Sequence, residues 1–498
     1  VRSILAIDQG TTGSTCLVVA DDGRILGRGY REIPQHYPRP GWVEHDPRDL
    51  IERTVDAARE AIRNAGATPE AIGITNQRET VVLWDRKTGA PVGRAIVWQD
   101  RRTAERCAEL APKAERIAHL TGLVTDPYFS GTKLEWMLRD DAVRRRAARG
   151  ELAAGTVDSW LIWFLTRGAV HATDPTNASR TMLYDINERA WSDELCELLH
   201  VPRELLPDVR PSSGDFGFID PEFLGKEIPI TGVAGDQQAA LFGQGCHAPG
   251  TSKNTYGTGA FLLLNTGAER AEGGGGLLTT IACDARGQPA YALEAAIFIA
   301  GAAIQWLRDG LGLLANAAQS EEIARGTSST DGVYFVPALV GLGAPHWEPR
   351  ARGTIVGLTR GSTRAHLVRA ALEAMAYSTA DVLEVMRART GHSGGLSAAH
   401  DAPLRVDGGA TENDWLMQFQ ADVLGIPVER PEQIETTALG AAGLAGLAAG
   451  VWRDVEAFQA TREFTRFEPG AGHEAARAGA EGWARAVRAA LSWARDES

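Results

Sequence analysis

The sequence predicts an α/β protein of two lobes with mixed sheets, and three observations predict it. The chain has 498 residues, more than one ordinary core holds at about 150 residues per domain. It opens on a β-meander that runs into a helix, the start of a mixed β-then-α half. The same plan of strand, Gly/Thr loop and strand returns past residue 250, so the chain reads as two halves of related design. The Gly-rich stretch 243–250, which holds Pro249, is the expected boundary and gives lobes of residues 1–245 and 246–498.

Each element has a local reason. Residues 3–8 are apolar and bounded by Gly10. Residues 16–20 are apolar and end at Asp21-Asp22-Gly23, a hairpin signal, and residues 24–33 alternate as a third strand. A helix follows, with Asp46 suited to the N-cap and Pro47 to the first helical position. Leu50, Ile51, Val55, Ala58 and Ile62 line one face of it, and Gly66 ends it. Residues 71–75 form a short strand that leads into the polar loop 76–80. In the second half, residues 251–256 and 261–265 read as strands on either side of Gly257-Thr258-Gly259. Strands at 277–283 and 290–297 and a helix from about Gly301 follow. The Ala-rich stretch from Gly472 has a helical pattern and is expected to serve packing.

Composition narrows the function classes. An apolar share of 44% and a charged share of 23% are those of an ordinary globular protein. The net charge of -13 argues against non-specific binding to nucleic acid or to an anionic membrane. It leaves an anionic ligand such as ATP open, because backbone N–H groups and a metal bind phosphate in an acidic protein. Cys16, Cys107, Cys196, Cys246 and Cys283 lie far apart without a C-x-x-C pair, so neither a disulfide framework nor a zinc site is expected. A reducing compartment fits. The first residues turn polar too soon for a signal peptide, and no run of about 20 apolar residues predicts a membrane span. The cytoplasm is the expected location.

Four motifs carry chemistry. Asp8-Gln9-Gly10-Thr11-Thr12-Gly13 sits on a strand-to-strand turn. Glycines there let backbone approach phosphate, Thr hydroxyls and N–H groups supply donors, and an Asp at a strand end can hold Mg²⁺. The loop alone reads equally well as an ordinary polar hairpin, and no Gly-Lys-Ser/Thr closes it as in a P-loop. Asp236 and Gln237 follow the apolar stretch 228–234, but Asp236 alone reads as well as a cap for a helix at 238–242. Asp407-Gly408-Gly409-Ala410 lies between a strand at 404–406 and a helix around 413–424, where a Gly pair admits a flat ring or a phosphate, or makes a plain turn. Asn76-Gln77-Arg78-Glu79-Thr80 and Trp98-Gln99-Asp100-Arg101-Arg102 each follow a strand end and could be solvated loops.

Taken together and in order, these motifs resemble the glycerol kinase branch of the FGGY carbohydrate kinase family along essentially the whole chain. Residues 127–136, Pro-Tyr-Phe-Ser-Gly-Thr-Lys-Leu-Glu-Trp, resemble one family signature. Gly353-Thr354-Ile355-Val356-Gly357-Leu358, with His366-Leu367 and Ala370-Ala371-Leu372-Glu373 after it, resembles the other. Residues 76–80, 98–102 and 254–261 are similar to the glycerol branch rather than to the xylulose or gluconate branches.

The resemblance implies an actin-like fold, with two ribonuclease-H-like lobes on mixed sheets and an interlobe cleft. It implies ATP-dependent phosphorylation of glycerol to sn-glycerol 3-phosphate, with Mg²⁺, and Asp236 as proton acceptor. Arg78, Glu79, Tyr128, Asp236 and Gln237 would bond the glycerol hydroxyls, and Trp98 and Phe261 would cover its carbon edge. Thr11, Thr12, Gly13 and Thr258 would meet the nucleotide phosphates. Gly301, Gln305, Gly409 and Asn413 would line the nucleotide site, and Asp8 would serve the metal. A homodimer or homotetramer is implied as well. A kinase for another small polyol such as erythritol, and a non-catalytic actin-like binding protein, are the competing readings.

The chain departs from the family pattern in two places. Many members carry Arg two positions beyond Gly13, where this chain has Thr15. A charge-assisted phosphate contact is then missing. In some relatives a loop before the Gly-Asp-Gln motif carries Gly and Arg for fructose 1,6-bisphosphate, and in others a phosphorylated His. Residues 222–227 offer no such Arg and residues 213–232 no His, so neither control is expected.

Overall fold

The computed structural model describes residues 1–390 and 402–495. The chain divides into two compact units. The first comprises Val1–His247, Thr279–Tyr291 and Glu435–Arg462, the second Ala248–Leu278, Ala292–Ile434 and Glu463–Ser498.

The first unit is built on a six-stranded sheet. Its order is Phe218–Ile219, Ile228–Gly235, Ala71–Asn76, Ser3–Gln9, Gly13–Ala20 and Ile25–Glu32. Ser3–Gln9 pairs antiparallel with Gly13–Ala20 and parallel with Ala71–Asn76, which in turn pairs parallel with Ile228–Gly235. The helix Pro47–Ala65 forms as its residues require. Asp46 caps it by accepting the N–H of Arg48, and Gly66 ends it in the left-handed conformation. Its buried Leu50, Ile51, Val55, Ala58 and Ala61 join the core of Leu5, Ile7, Ile72 and Ile74.

The opposite face is covered by the helix Thr436–Ala448, which is rich in Ala and Gly and buried over nearly its whole length. Small residues let it approach the helix Asp236–Gly243 closely. A Cβ on Gly440 would stand 1.8 Å from the carbonyl oxygen of Ala239.

The second unit repeats the plan on a seven-stranded sheet. The order is Leu278–Cys283, Pro289–Ile297, Ala260–Gly267, Ser252–Tyr256, Leu404–Asp407, Val428–Pro431 and Phe464–Phe467, with residues 279–291 grouped in the first unit. Ser252–Tyr256 pairs antiparallel with Ala260–Gly267 and parallel with Leu404–Asp407. Both sheets therefore begin with a hairpin whose first strand finds a later parallel partner. The helices Gly301–Asp309, Arg364–Thr390 and Asp414–Leu424 contribute Leu307, Val382, Leu383 and Leu416 to a core with Leu262, Leu293 and Val406. The helix His473–Arg495 buries Trp483, Val487 and Ala490. All five cysteines are buried and none of them is in a disulfide. No helix among the described residues is long and apolar enough to cross a membrane.

Candidate active site

Three adjacent parallel strands of the first unit end side by side. Their register aligns Gln9 with Asn76 and Gly235 with Asn76. One sheet edge thus receives Asp8 and the turn after it, the loop from Gln77, and Asp236. Ligand groups gather at such carboxyl ends because the chain leaves the sheet there.

Asp236 is the first residue of its helix, and Gly235 stands at the cap position. Its Oδ1 accepts the N–H of Gln237 at 2.7 Å and lies 3.1 Å from Nε of Arg78. Asp236 is therefore not the cap of a helix at 238–242: it is the first residue of a helix capped at Gly235, and it is ion-paired to Arg78. Arg78 is buried, and its guanidinium also donates to Oε1 of Gln238 at 3.3 Å and to the Tyr128 hydroxyl at 3.4 Å.

Glu79, also buried, lies 3.8 Å from the Arg78 Nε, and its Oε1 accepts from Nε of Arg180 at 2.6 Å. A buried carboxylate needs such a partner, since an unpaired one costs several kcal/mol. The backbone of Glu79 has φ of 63°, a region uncommon outside glycine. The Ser130 hydroxyl donates to its carbonyl at 3.0 Å and helps hold this conformation.

An aromatic pair borders the carboxylates. Trp98, half-buried, donates its indole N–H to Oγ1 of Thr11 at 2.9 Å. Its ring meets Tyr128 edge-on with centroids 5.7 Å apart. Thr80 Oγ1 accepts the Trp98 backbone N–H at 3.1 Å.

Asp8 is half-buried. Burial, with the charge of Asp236 adding to it, pushes its carboxyl up to about 7. Among the described residues none gives that carboxylate a hydrogen bond or a cationic partner. No group of three or more His, Cys, Asp or Glu that could hold a metal ion occurs among the described residues. One unneutralised carboxylate beside a second suits Mg²⁺, which keeps waters and takes one or two carboxylates plus substrate phosphate. It does not suit an all-protein cage.

The second unit has its own cluster. Residues 257–259 turn between strands, and the Thr258 carbonyl accepts the N–H groups of Ala300 at 2.8 Å and Ala302 at 3.1 Å. Gly301 donates to the Gly257 carbonyl at 3.0 Å, and a Cβ on Gly301 would lie 2.6 Å from that oxygen, so the close approach requires glycine. Asp407 aligns with Thr255, which brings residues 408–409 to the same edge as the 257–259 turn. Gly409 is exposed, and nothing lies within 4 Å of where its Cβ would be. Asn413 caps the helix Asp414–Leu424 through Leu416 N–H at 2.9 Å, Gln305 is exposed, and Phe261 is half-buried.

The residues expected from sequence thus fall into two groups. Asp8, Thr11, Arg78, Glu79, Trp98, Tyr128 and Asp236 are drawn together in the first unit by direct bonds or by charge. Gln237 follows Asp236, Thr12 is exposed on the hairpin, and Gly13 lies under the Tyr30 ring. Phe261, Thr258, Gly301, Gln305, Gly409 and Asn413 belong to the second unit.

Asn76 and Lys133 stand in motifs quoted above without a role of their own, and Asn177 and Arg180 were missed. Lys133 is fully buried, donates from Nζ to the Tyr128 carbonyl at 2.9 Å, and is pushed down to about 7 by that burial. Asp174-Pro175, a cap residue followed by proline, was a helix-start signal that could have drawn attention to this region. Surface recesses of about 660 Å³ beside Trp136 and 500 Å³ beside Trp415 hold none of the expected site residues.

Residues 3–243 match the N-terminal domain, and residues 252–449 the C-terminal domain, of the FGGY family of carbohydrate kinases. The chain belongs to that family. It is 54% identical to glycerol kinase 2 of Thermotoga maritima over 99% of each chain. It is also 54% identical to a glycerol kinase of Carboxydothermus hydrogenoformans, over 100% of this chain and 99% of that one. Among solved structures it is similar to Plasmodium falciparum glycerol kinase with ADP, with a TM-score of 0.92, 35% identity and 98% of each chain covered. A xylulose kinase of Lactobacillus acidophilus shares the fold at a TM-score of 0.85 and 19% identity over 99% of each chain.

Proposed function

We propose that the protein transfers the γ-phosphoryl group of ATP to a terminal hydroxyl of glycerol, giving sn-glycerol 3-phosphate and ADP. Full-length identity to glycerol kinases supports this reading. The observation that carries it is the cluster in which Arg78 joins Asp236 at 3.1 Å and Tyr128 at 3.4 Å at a shared strand edge. Such a set of paired donors and acceptors suits a small molecule with several hydroxyls.

In the proposed reaction the glycerol oxygen attacks the γ-phosphorus, the bond to the bridging oxygen breaks, and ADP leaves. The transition state is loose, so positioning and charge stabilisation dominate. Asp236 takes the alcohol proton. An unperturbed Asp titrates near about 3.9, far below an alcohol, so Asp236 cannot ionise the hydroxyl beforehand and accepts the proton as the new P–O bond forms. Its ion pair with Arg78 keeps the carboxylate oriented. Arg78, Glu79, Tyr128 and Gln237 bond the hydroxyls, and Trp98 and Phe261 shield the carbons.

Thr11, Thr12, Gly13 and Thr258 take the phosphates, and Gly301, Gln305, Gly409 and Asn413 the rest of the nucleotide. Asp8 would hold Mg²⁺. When bound, the ion neutralises charge on the β- and γ-phosphates. A homodimer or homotetramer belongs to the same reading, and light scattering measures it.

A coupled ADP assay over a polyol panel tests the function. Glycerol should give ADP release. 1,3-Propanediol, which lacks the middle hydroxyl, should react about 10⁴-fold less efficiently, because buried partners are left unpaired. Preference for erythritol, or no glycerol-dependent ADP at all, would overturn the assignment.

A further inference from the structure

We propose that the short helix Pro175–Ala178, with Asp174 before it and Arg180 after it, is a positioning strut that sets the geometry of the glycerol hydroxyl site. The inference rests on the reading of Asp236, Arg78 and Glu79 as that site.

Four residues are too few for a helix to persist by itself. This one is wholly buried, as are Asp174 and Arg180. Polar side chains buried so deeply must find partners, and theirs are spread over three other segments. Asp174 anchors the helix by accepting the N–H groups of Thr176 and Asn177 at 3.0 Å each, and the Ser212 hydroxyl at 2.6 Å.

From this anchor two arms reach toward the site. In the first, Thr176 Oγ1 accepts the N–H of Gly235 at 2.8 Å, one residue before Asp236. In the second, Asn177 and Asn76 exchange amide hydrogen bonds at 2.9 and 3.1 Å. Asp174 fixes the sense of that exchange, because its Oδ1 accepts from the Asn177 Nδ2 at 2.9 Å. Arg180 extends this arm by donating to Glu79 at 2.6 Å, where the backbone has positive φ.

The arms address different parts of the reaction. The Thr176 arm fixes where the Asp236 carboxylate starts, which governs proton transfer. The Asn177–Arg180 arm fixes the Arg78–Glu79 loop, which governs hydroxyl binding. A strut with this division lowers kcat through one arm and raises KM through the other, whereas a smaller folded fraction lowers apparent kcat, leaves KM unchanged and is read separately by circular dichroism.

Steady-state kinetics on Thr176→Val, Thr176→Ser and Arg180→Lys tests this, with the unaltered protein in parallel. Thr176→Val should lower kcat per folded molecule, with the folded fraction read by circular dichroism, by about tenfold or more, since small displacements of a reacting group are costly. Its KM values for glycerol and ATP should stay within about threefold, and Thr176→Ser, which keeps the acceptor oxygen, should restore kcat to within about twofold. Arg180→Lys should raise KM for glycerol by about fivefold or more with kcat within about threefold, because Lys cannot repeat the guanidinium geometry. If Thr176→Val fails to fold, Arg180→Lys decides by itself, and an unchanged KM for glycerol then overturns the proposal. An active unaltered protein whose variants match it, or whose kcat and KM move together without rescue by Ser, overturns the strut alone. An unaltered protein with no glycerol-dependent ADP release overturns the substrate reading and the strut with it.

Discussion

The indole N–H of Trp98 meets Oγ1 of Thr11 across 2.9 Å. A side chain expected to serve as an apolar wall therefore also fixes a hydroxyl of the turn proposed to receive phosphate. Trp98→Phe keeps a ring but loses the donor. One net hydrogen bond is worth about 1 kcal/mol, so KM for ATP should rise by about fivefold while KM for glycerol moves less. Steady-state kinetics with each substrate varied measures both. A change confined to glycerol would show that the bond to Thr11 has no part in nucleotide binding.

Thr15 stands opposite Asp8 across the first hairpin. The charge that the family resemblance implies at this position is absent, and Asp8 has no cationic partner among the described residues. Thr15→Arg should lower KM for ATP by about threefold or more through a charge-assisted phosphate contact. An equal KM in the two proteins would mean that the position needs no charge here.

Lys133 links stability to pH. Burial holds its folded pKa down at about 7, against about 10.4 when unfolded. Between these values the unfolded chain binds a proton that the folded site does not, so the penalty for burying this lysine is relieved as pH rises from 7 toward 10. Below pH 7 both states carry the proton and the dependence vanishes. The Tm of the unaltered protein relative to Lys133→Met should therefore climb between pH 7 and 9.5 and stay level between pH 5.5 and 6.5. A constant difference across both ranges would contradict the buried, weakened ammonium.

Much of this arrangement was legible in the sequence, because local rules governed it. The meander, the Asp46-Pro47 helix start and the Gly66 stop follow from turn and cap chemistry. The site motifs could be recognised because each sits where a strand ends. What local rules cannot carry is partnership over distance. The helix Thr436–Ala448 is apolar on nearly all sides, which announces burial without naming a partner, and it joins the first unit from far along the chain. Arg180 meets Glu79, and Asn177 meets Asn76, across 101 residues in each case. A four-residue helix has no periodicity to betray it, and a polar run buried to saturate other polar groups looks in sequence like a solvated loop.

Asp236→Asn probes whether Asp236 accepts the hydroxyl proton. The amide can still bond a hydroxyl but cannot take its proton. With glycerol and ATP saturating, kcat should fall by at least about 10²-fold, while glycerol binding stays within about tenfold. A variant with near-normal kcat would rule out proton acceptance by Asp236.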